Sequence, residues 1–399
     1  MTTQPQTSRE EDQGTEPMDA PQTLVGRVLD RRFRLERVLK RGGMGIVFEA
    51  SQLTVNRPVA VKILRPTLTK KTDLVQRFSR EIEVVASLTH PNIVELIDAG
   101  RDAGGLIYLA MEYVDGQTFR AALEEGSLSL PDILEVFVQT CDALMEAHAC
   151  DVIHRDLKFD NIMLTRRKDA RLHVKVLDFG VAKLLSTNQE LTKSGQVPGT
   201  PGIIAPELID ENPPTPQSDL YSLGVLLYTA LCGEPPFEGD NDLEVMRAHK
   251  LEPVPRIEER LTEPLPANLL DLTYSLLEKE PAQRPASVQR VRDRLEGLIR
   301  RLRRGGYTDP YVPGGDDYTL LSEQDTDIDN LQTLESDLWV EPARKDDPLE
   351  RFIRAFFGEE PVVAPTTVVV ALAFLLLSLI AAIVYLLVPD IVQILTAAQ

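Results

Sequence analysis

From Phe33 the chain places apolar and polar residues in near alternation, Phe33-Arg34-Leu35-Glu36-Arg37-Val38-Leu39, the two-residue period of a half-buried strand. Glycines then cluster in Lys40-Arg41-Gly42-Gly43-Met44-Gly45-Ile46-Val47, a turn leading into a second strand. Glycines at such a turn let backbone amides approach a phosphate closely. Val59 to Leu64 is apolar except for Lys62, and a lysine in a buried strand needs an anionic partner. Phe78, Ile82, Val85 and Leu88 recur at helical spacing, with Glu81 beside that apolar face and able to point at the strand. Leu106 to Tyr113 is a further buried strand. From Phe119 the period turns helical, and Leu134, Val138, Cys141, Leu144, Met145 and His148 form one stripe taken as core. Val174 to Leu177 is a short strand. After Asp219 the residues to Leu231 are almost uniformly apolar, the mark of a buried helix. Residues 287–304 form a last, basic helix ending Arg300-Arg301-Leu302-Arg303-Arg304, cations that suit a helix C-terminus.

Charge separates this folded middle from its flanks. The net charge is −19, which argues against a nucleic-acid partner. Residues 1–24 carry five acids and one base, and residues 305–350 thirteen acids and two bases. Together they hold −15 of the −19, as expected for solvated segments. The reading is a disordered tail over 1–24, a folded domain over 25–304 and a flexible acidic linker over 305–350. No signal peptide is visible in the polar first residues. Cys141, Cys150 and Cys232 show no Cys-x-x-Cys spacing and read as buried, reduced thiols.

Residues 366–388 are 23 positions without a charge. As a helix they extend about 34 Å, enough for a hydrocarbon core of about 30 Å. A single transmembrane helix is expected there, after a juxtamembrane segment at 351–365 and before a short tail at 389–399. Arg344, Lys345, Arg351 and Arg354 precede the span and no Lys or Arg follows it, which places the folded domain in the cytoplasm, at the cell membrane. Ser378 and Ala382 form a small-xxx-small pair that suggests a homodimer through this helix.

The chemistry concentrates in His154-Arg155-Asp156-Leu157-Lys158-Phe159-Asp160-Asn161, followed by Asp178-Phe179-Gly180. An Asp takes a hydroxyl proton, a Lys offsets phosphate charge, and an Asn with a second Asp supplies the oxygen donors that Mg²⁺ prefers. These residues resemble the catalytic and metal-binding loops of the eukaryotic-type, or Hanks-type, protein kinases of bacteria. The Leu157-Lys158 pair resembles the Ser/Thr branch. Met111-Glu112-Tyr113-Val114 resembles the adenine hinge and Ala205-Pro206-Glu207 the end of the activation loop. The resemblance runs over roughly residues 33–298, with motifs in the family's order.

That resemblance implies an α+β, two-lobed fold: a small five-stranded lobe with one helix, a larger helical lobe, and ATP between them. ATP would be lined by Leu39, Lys40, Arg41, Gly42, Gly43, Met44, Gly45, Ile46, Val47, Ala60, Met111, Glu112 and Val114. Lys62 would hold its α/β-phosphates, fixed by Glu81. Asn161 and Asp178 would bind Mg²⁺, with Mn²⁺ the alternative. Asp156 would orient and deprotonate a Ser or Thr hydroxyl on a protein substrate, and Lys158 would offset charge on the γ-phosphate. Thr200 would position Asp156 and Lys158. Thr192, then Ser194, is the expected site of autophosphorylation, with Arg155 receiving the new phosphate. Two departures stand out. Lys40 occupies the family's first loop-glycine position, and the aromatic residue after Gly199-Thr200-Pro201 is missing. The competing readings are a pseudokinase scaffold at the membrane and a small-molecule phosphotransferase on a related fold.

Overall fold

The computed structural model describes residues 21–43, 45–65, 82, 85–166, 171–179, 200–261 and 263–304. The small lobe is one antiparallel sheet of β1 (Val28–Leu29), β2 (Phe33–Gly42), β3 (Gly45–Gln52), β4 (Arg57–Leu64), β5 (Leu96–Arg101) and β6 (Ile107–Glu112). The strand order is β1-β2-β3-β4-β6-β5. Five strands were expected; the sixth is β1, two residues long and too short to show a period. Order also begins earlier than expected. Pro21–Leu24 form a 3-10 turn, and Leu24 is 2% exposed. Leu24 packs with Leu29, Phe33, Leu35 and Phe48, so the turn at 21–24 is anchored in the sheet's core through Leu24 and is not part of a tail.

Strand β2 does not keep a clean two-residue period. Its register against β3 shifts between Leu35 and Arg37 and again between Val38 and Lys40. Each shift adds a residue to β2 alone and turns the following side chains to the opposite face. This is why the apolar positions run Phe33, Leu35, then Val38.

A second sheet of β7 (Gln117–Thr118), β8 (Ile162–Arg166) and β9 (Leu172–Val176), in that order, brackets the chemical motif. Asn161 leads into β8, and β9 leads to Asp178. The helices of the large lobe are α1 (Phe119–Glu124), α2 (Leu130–Ala149), α3 (Pro206–Ile209), α4 (Pro216–Cys232), α5 (Asp242–Leu251), α6 (Ala267–Leu276) and α7 (Val288–Arg303). Helix α2 opens with a capping box in which Ser129 and Asp132 satisfy each other's backbone N–H groups. It is buried on a wider face than one stripe, with Val136, Phe137, Thr140, Ala143 and Ala147 added to Leu134, Val138, Cys141 and Leu144. In α4 every residue from Ser218 to Tyr228 is buried. A Cβ on Gly224 would lie 2.6 Å from Cβ of Leu276, so this glycine lets α4 and α6 pack closely. Of the cysteines only Cys141 is fully buried; Cys150 and Cys232 are half-buried, and all three are free.

Among the described residues no helix is long and apolar enough to cross a membrane. The linker, the juxtamembrane segment and the expected span at 366–388 lie outside the described residues.

Candidate active site

The catalytic-loop backbone is pinned by Asp219, in the first turn of α4 and 1% exposed. Its Oδ2 accepts the backbone N–H of His154 at 2.8 Å, and its Oδ1 that of Arg155 at 3.0 Å. Nε2 of His148, from the end of α2, lies 2.8 Å from the same Oδ2. The sequence placed His148 in an apolar stripe; in the fold it is the polar tie between α2 and α4. Arg155 and Asp178 both hold left-handed backbone, with φ of 66° and 55°. Non-glycine residues adopt this conformation at a cost, and surrounding bonds must hold it in place.

His154 is fully buried, and burial pushes its imidazole below the ordinary range despite nearby Asp219 and Asp156. Nδ1 accepts the Asp156 backbone N–H at 3.3 Å, so the proton sits on Nε2, which donates to the Leu177 carbonyl at 3.0 Å. The ring also packs against Phe179, with centroids 4.7 Å apart. One histidine thus joins the loop bearing Asp156 to the segment bearing Asp178. Leu177 adds a second tie by donating its N–H to the Asn161 carbonyl at 2.8 Å.

The Asp156 carboxylate is held from both sides. Thr200 Oγ1 donates to Oδ1 at 3.1 Å, and Lys158 Nζ donates to Oδ2 at 2.7 Å. Asn161, 4% exposed, donates through Nδ2 to the Asp156 carbonyl at 2.9 Å. From the small lobe, Lys62 Nζ donates to Asp178 Oδ1 at 2.8 Å. Lys62 is buried in β4, so this contact supplies the anionic partner that a strand lysine needs. Glu81, the partner expected from the sequence, lies outside the described residues, as do Met44, Gly180, Thr192 and Ser194.

The remaining positions expected from the sequence lie on β2, β3, β4 and at the end of β6. Ile46 is buried, Val47 and Ala60 are half-buried, and Ala60 stands opposite Met111 in the β4–β6 pairing. Met111, Glu112 and Val114 are half-buried where β6 ends, while Leu39, Arg41, Gly42 and Gly43 are exposed. A Cβ on Gly45 would fall 2.2 Å from the Ile63 carbonyl oxygen. This glycine is required by close pairing of β3 with β4, whereas a Cβ on Gly42 would make only ordinary contact and one on Gly43 would meet open space.

Three residues near the site were not singled out from the sequence. Lys175 on β9 donates to Glu112 Oε2 at 2.7 Å and so joins the expected hinge to the second sheet. Asp160 lies 3.7 Å from Lys40 Nζ and 2.9 Å from both Nε and Nη2 of Arg120. Burial raises the Asp160 carboxyl, but the Arg120 hydrogen bond and the charges of Lys40, Arg120 and Lys158 outweigh it and hold it below the usual range. Sequence distance hid these contacts, although an acid between Lys158 and Asn161 was a visible signal.

Comparison with known proteins places this geometry. The family described as protein kinase domain matches residues 33–295. The chain is 37% identical over 294 residues to the serine/threonine-protein kinase pkn3 of Myxococcus xanthus, covering 72% of this chain and 54% of that protein. It is 39% identical over 265 residues to the serine/threonine-protein kinase PknA of Mycobacterium tuberculosis, covering 65% of this chain and 59% of that protein. The chain therefore spans little more than half the length of these relatives. The crystal structure of the Mycobacterium tuberculosis PknI kinase domain is similar in fold, with a TM-score of 0.54 at 24% identity over 68% of this chain and 98% of that one. With the matched family spanning well over half of the sequence, and with its lobes and loops in the order described above, this chain belongs to the protein kinase family.

Proposed function

We propose that the chain transfers the γ-phosphoryl group of Mg-ATP to Ser or Thr hydroxyls of proteins, including its own. The observation that carries this reading is the Asp156 carboxylate, fixed between Lys158 and Thr200, in a loop tied through His154 and Leu177 to the Lys62–Asp178 pair. Such chemistry is mostly positioning and electrostatic stabilisation.

The residues fit the nucleotide and its metal. Asn161 spends its amide N–H on the Asp156 carbonyl, which leaves its carbonyl oxygen as a donor. Lys62 engages Oδ1 of Asp178, and a carboxylate has a second oxygen. Two protein oxygens suit Mg²⁺, which keeps several waters and otherwise binds substrate phosphates. Among the described residues no three His, Cys, Asp or Glu side chains gather as an all-protein cage. Mg-ATP, when bound, supplies the phosphoryl group and its leaving group. Lys62 would neutralise α/β-phosphate charge, with Asn161 and Asp178 holding the ion. Asp156 would aim the acceptor hydroxyl and take its proton, while Lys158 steadies that carboxylate and faces developing phosphoryl charge. Thr200 fixes the carboxylate's rotation.

The same proposal extends to regulation and place. Phosphate on Thr192 or Ser194 would add about two negative charges and give Arg155 a bidentate partner. The uncharged stretch 366–388 supports a single membrane span with the kinase domain in the cytoplasm. Flotation of the full chain with liposomes, lost on deletion of 366–388, tests the anchor. For the activity, the full chain is incubated with labelled ATP and a generic protein acceptor. Transfer should depend on added Mg²⁺ and fall at least ~100-fold in Lys62→Met. Absence of transfer by the wild-type chain, or equal transfer by Lys62→Met, would overturn the reading.

A further inference from the structure

We infer that Lys40 is a positioning residue that straps the β2–β3 hairpin to the catalytic loop through Asp160, and so sets how long a nucleotide stays in the cleft. The inference rests on the proposed reading of that cleft as the nucleotide site. It starts from register. Val38 pairs with Phe48, and the next pair along is Lys40 with Val47, which leaves Leu39 as an extra residue. Val47 in turn pairs with Lys62 across β3 and β4. Directly opposed residues of neighbouring strands share a face of the sheet. The bulge at Leu39 therefore puts Lys40 on the face from which Lys62 reaches Asp178. With regular pairing, Leu39 would stand opposite Val47 and Lys40 would face the other way.

The receiving carboxylate is anchored. Arg120 holds Asp160 with Nε and Nη2, both at 2.9 Å, and its guanidinium lies over the Phe159 ring, 5.7 Å from the centroid. Asp160 Oδ1 is 3.7 Å from Lys40 Nζ. Among the described residues, Lys62–Asp178 and Lys40–Asp160 cross from the sheet to the catalytic segments, beside the Lys175–Glu112 pair at the hinge. Lys62–Asp178 lies deep, with the Lys62 side chain 11% exposed, and Lys40–Asp160 lies at the rim, with the Lys40 side chain 52% exposed. Lifting the hairpin requires the rim pair to part. Gly42 and Gly43, whose neighbours would tolerate a Cβ, leave the hairpin tip free to bend once the pair is broken. An exposed pair is weak and screened by salt, so the effect on exchange is about two- to five-fold.

Stopped-flow release of a fluorescent ADP analogue, bound with Mg²⁺ to the full chain, tests the strap. Lys40→Met and Asp160→Asn should each release nucleotide about two- to five-fold faster. The double variant should be no faster than the faster single variant, because the two changes remove one contact. Lys40→Arg should restore slow release. Raising salt should accelerate release from the wild-type chain by a larger factor than from Lys40→Met, because only the wild type has the Lys40–Asp160 pair to screen. Equal release from wild type and Lys40→Met, or additive effects in the double variant, would overturn the strap while leaving the nucleotide site standing. Failure of the wild-type chain to bind the analogue would overturn both.

Discussion

Glu207 and Arg284 allow a stability prediction to be worked from individual bonds. The Arg284 side chain is fully buried, and every N–H of its guanidinium fork has an acceptor. Nη1 donates to Glu207 Oε1 and Nη2 to Glu207 Oε2, both at 2.8 Å. Nε donates to the Glu278 carbonyl at 2.8 Å, Nη1 to the Gln217 carbonyl at 2.7 Å and Nη2 to the Lys279 carbonyl at 3.0 Å. The Glu207→Gln change keeps the volume, leaves one acceptor oxygen, and sets an amide N–H against an Arg N–H while the arginine loses its counter-charge. Removing one partner of a buried pair costs about 3–5 kcal/mol. At roughly 2–4 °C per kcal/mol for a domain of this size, the melting temperature should fall by about 6–20 °C. The paired change Glu207→Leu with Arg284→Met should recover only part of this. It removes both charges but orphans the carbonyls of Gln217, Glu278 and Lys279.

The sign with pH follows from the same contacts. Burial raises the Glu207 carboxyl, but the Arg284 hydrogen bonds and charge outweigh it and hold it below the ordinary value of 4.5. The pair's contribution is present above that unfolded value and is lost as pH falls through the folded one. Thermal and urea unfolding of the full chain, followed by circular dichroism at pH 7 and pH 4, measure it. A Glu207→Gln variant within about 0.5 kcal/mol of wild type at pH 7 would refute the reasoning, because surface substitutions cost that little.

Other residues carry independent predictions. Asp219→Asn cannot accept all of the donors from His148, His154 and Arg155, so it should lower phosphate transfer more than nucleotide binding; unchanged transfer rates would count against the pinning role. Burial lowers His249 to about 4, with Lys279 a further lowering charge. An unfolded histidine binds its proton near 6.5, so this contribution to stability is present above that pH and is lost as pH falls towards 4, by up to about 1.4 kcal/mol per unit. The slope of stability against pH in that window should flatten in His249→Gln. Gly45→Ala must move the Ile63 carbonyl, since the added carbon would lie 2.2 Å from it, and should destabilise the small-lobe sheet, whereas Gly43→Ala should not; equal melting temperatures would contradict the packing role.

The candidate catalytic residues stood out in the sequence because they sit in one short run whose chemistry each side chain declares. The bonds that aim them stood out less. Thr200 and Asp156 come together across 44 residues, and Lys62 and Asp178 across 116. Such pairs can be guessed only when the motif supplies a partner in advance, as it did for Thr200. No motif announced Asp160 as the partner of Lys40, because that contact depends on a bulge that the pattern of apolar residues around Leu39 does not reveal. Helix α4 was plain from its nearly continuous apolar run, and α7 from its basic end. The 3-10 turn at Pro21–Leu24 and β1 were missed for a physical reason. Each is shorter than the repeat by which an element is recognised, and each is held by packing against β2.

The central claim is that Asp156 aims a hydroxyl at a phosphoryl group held by Lys62, Asn161 and Asp178. Its most direct test is the intact mass of the full chain, stripped by phosphatase and then incubated with Mg-ATP, with phosphoamino-acid analysis of the product. Whole phosphoryl units on Ser or Thr are predicted for the wild-type chain, forming at least ~100-fold more slowly in Asp156→Asn. A wild-type chain that gains no mass, or an Asp156→Asn chain that gains it at the same rate, would contradict the account.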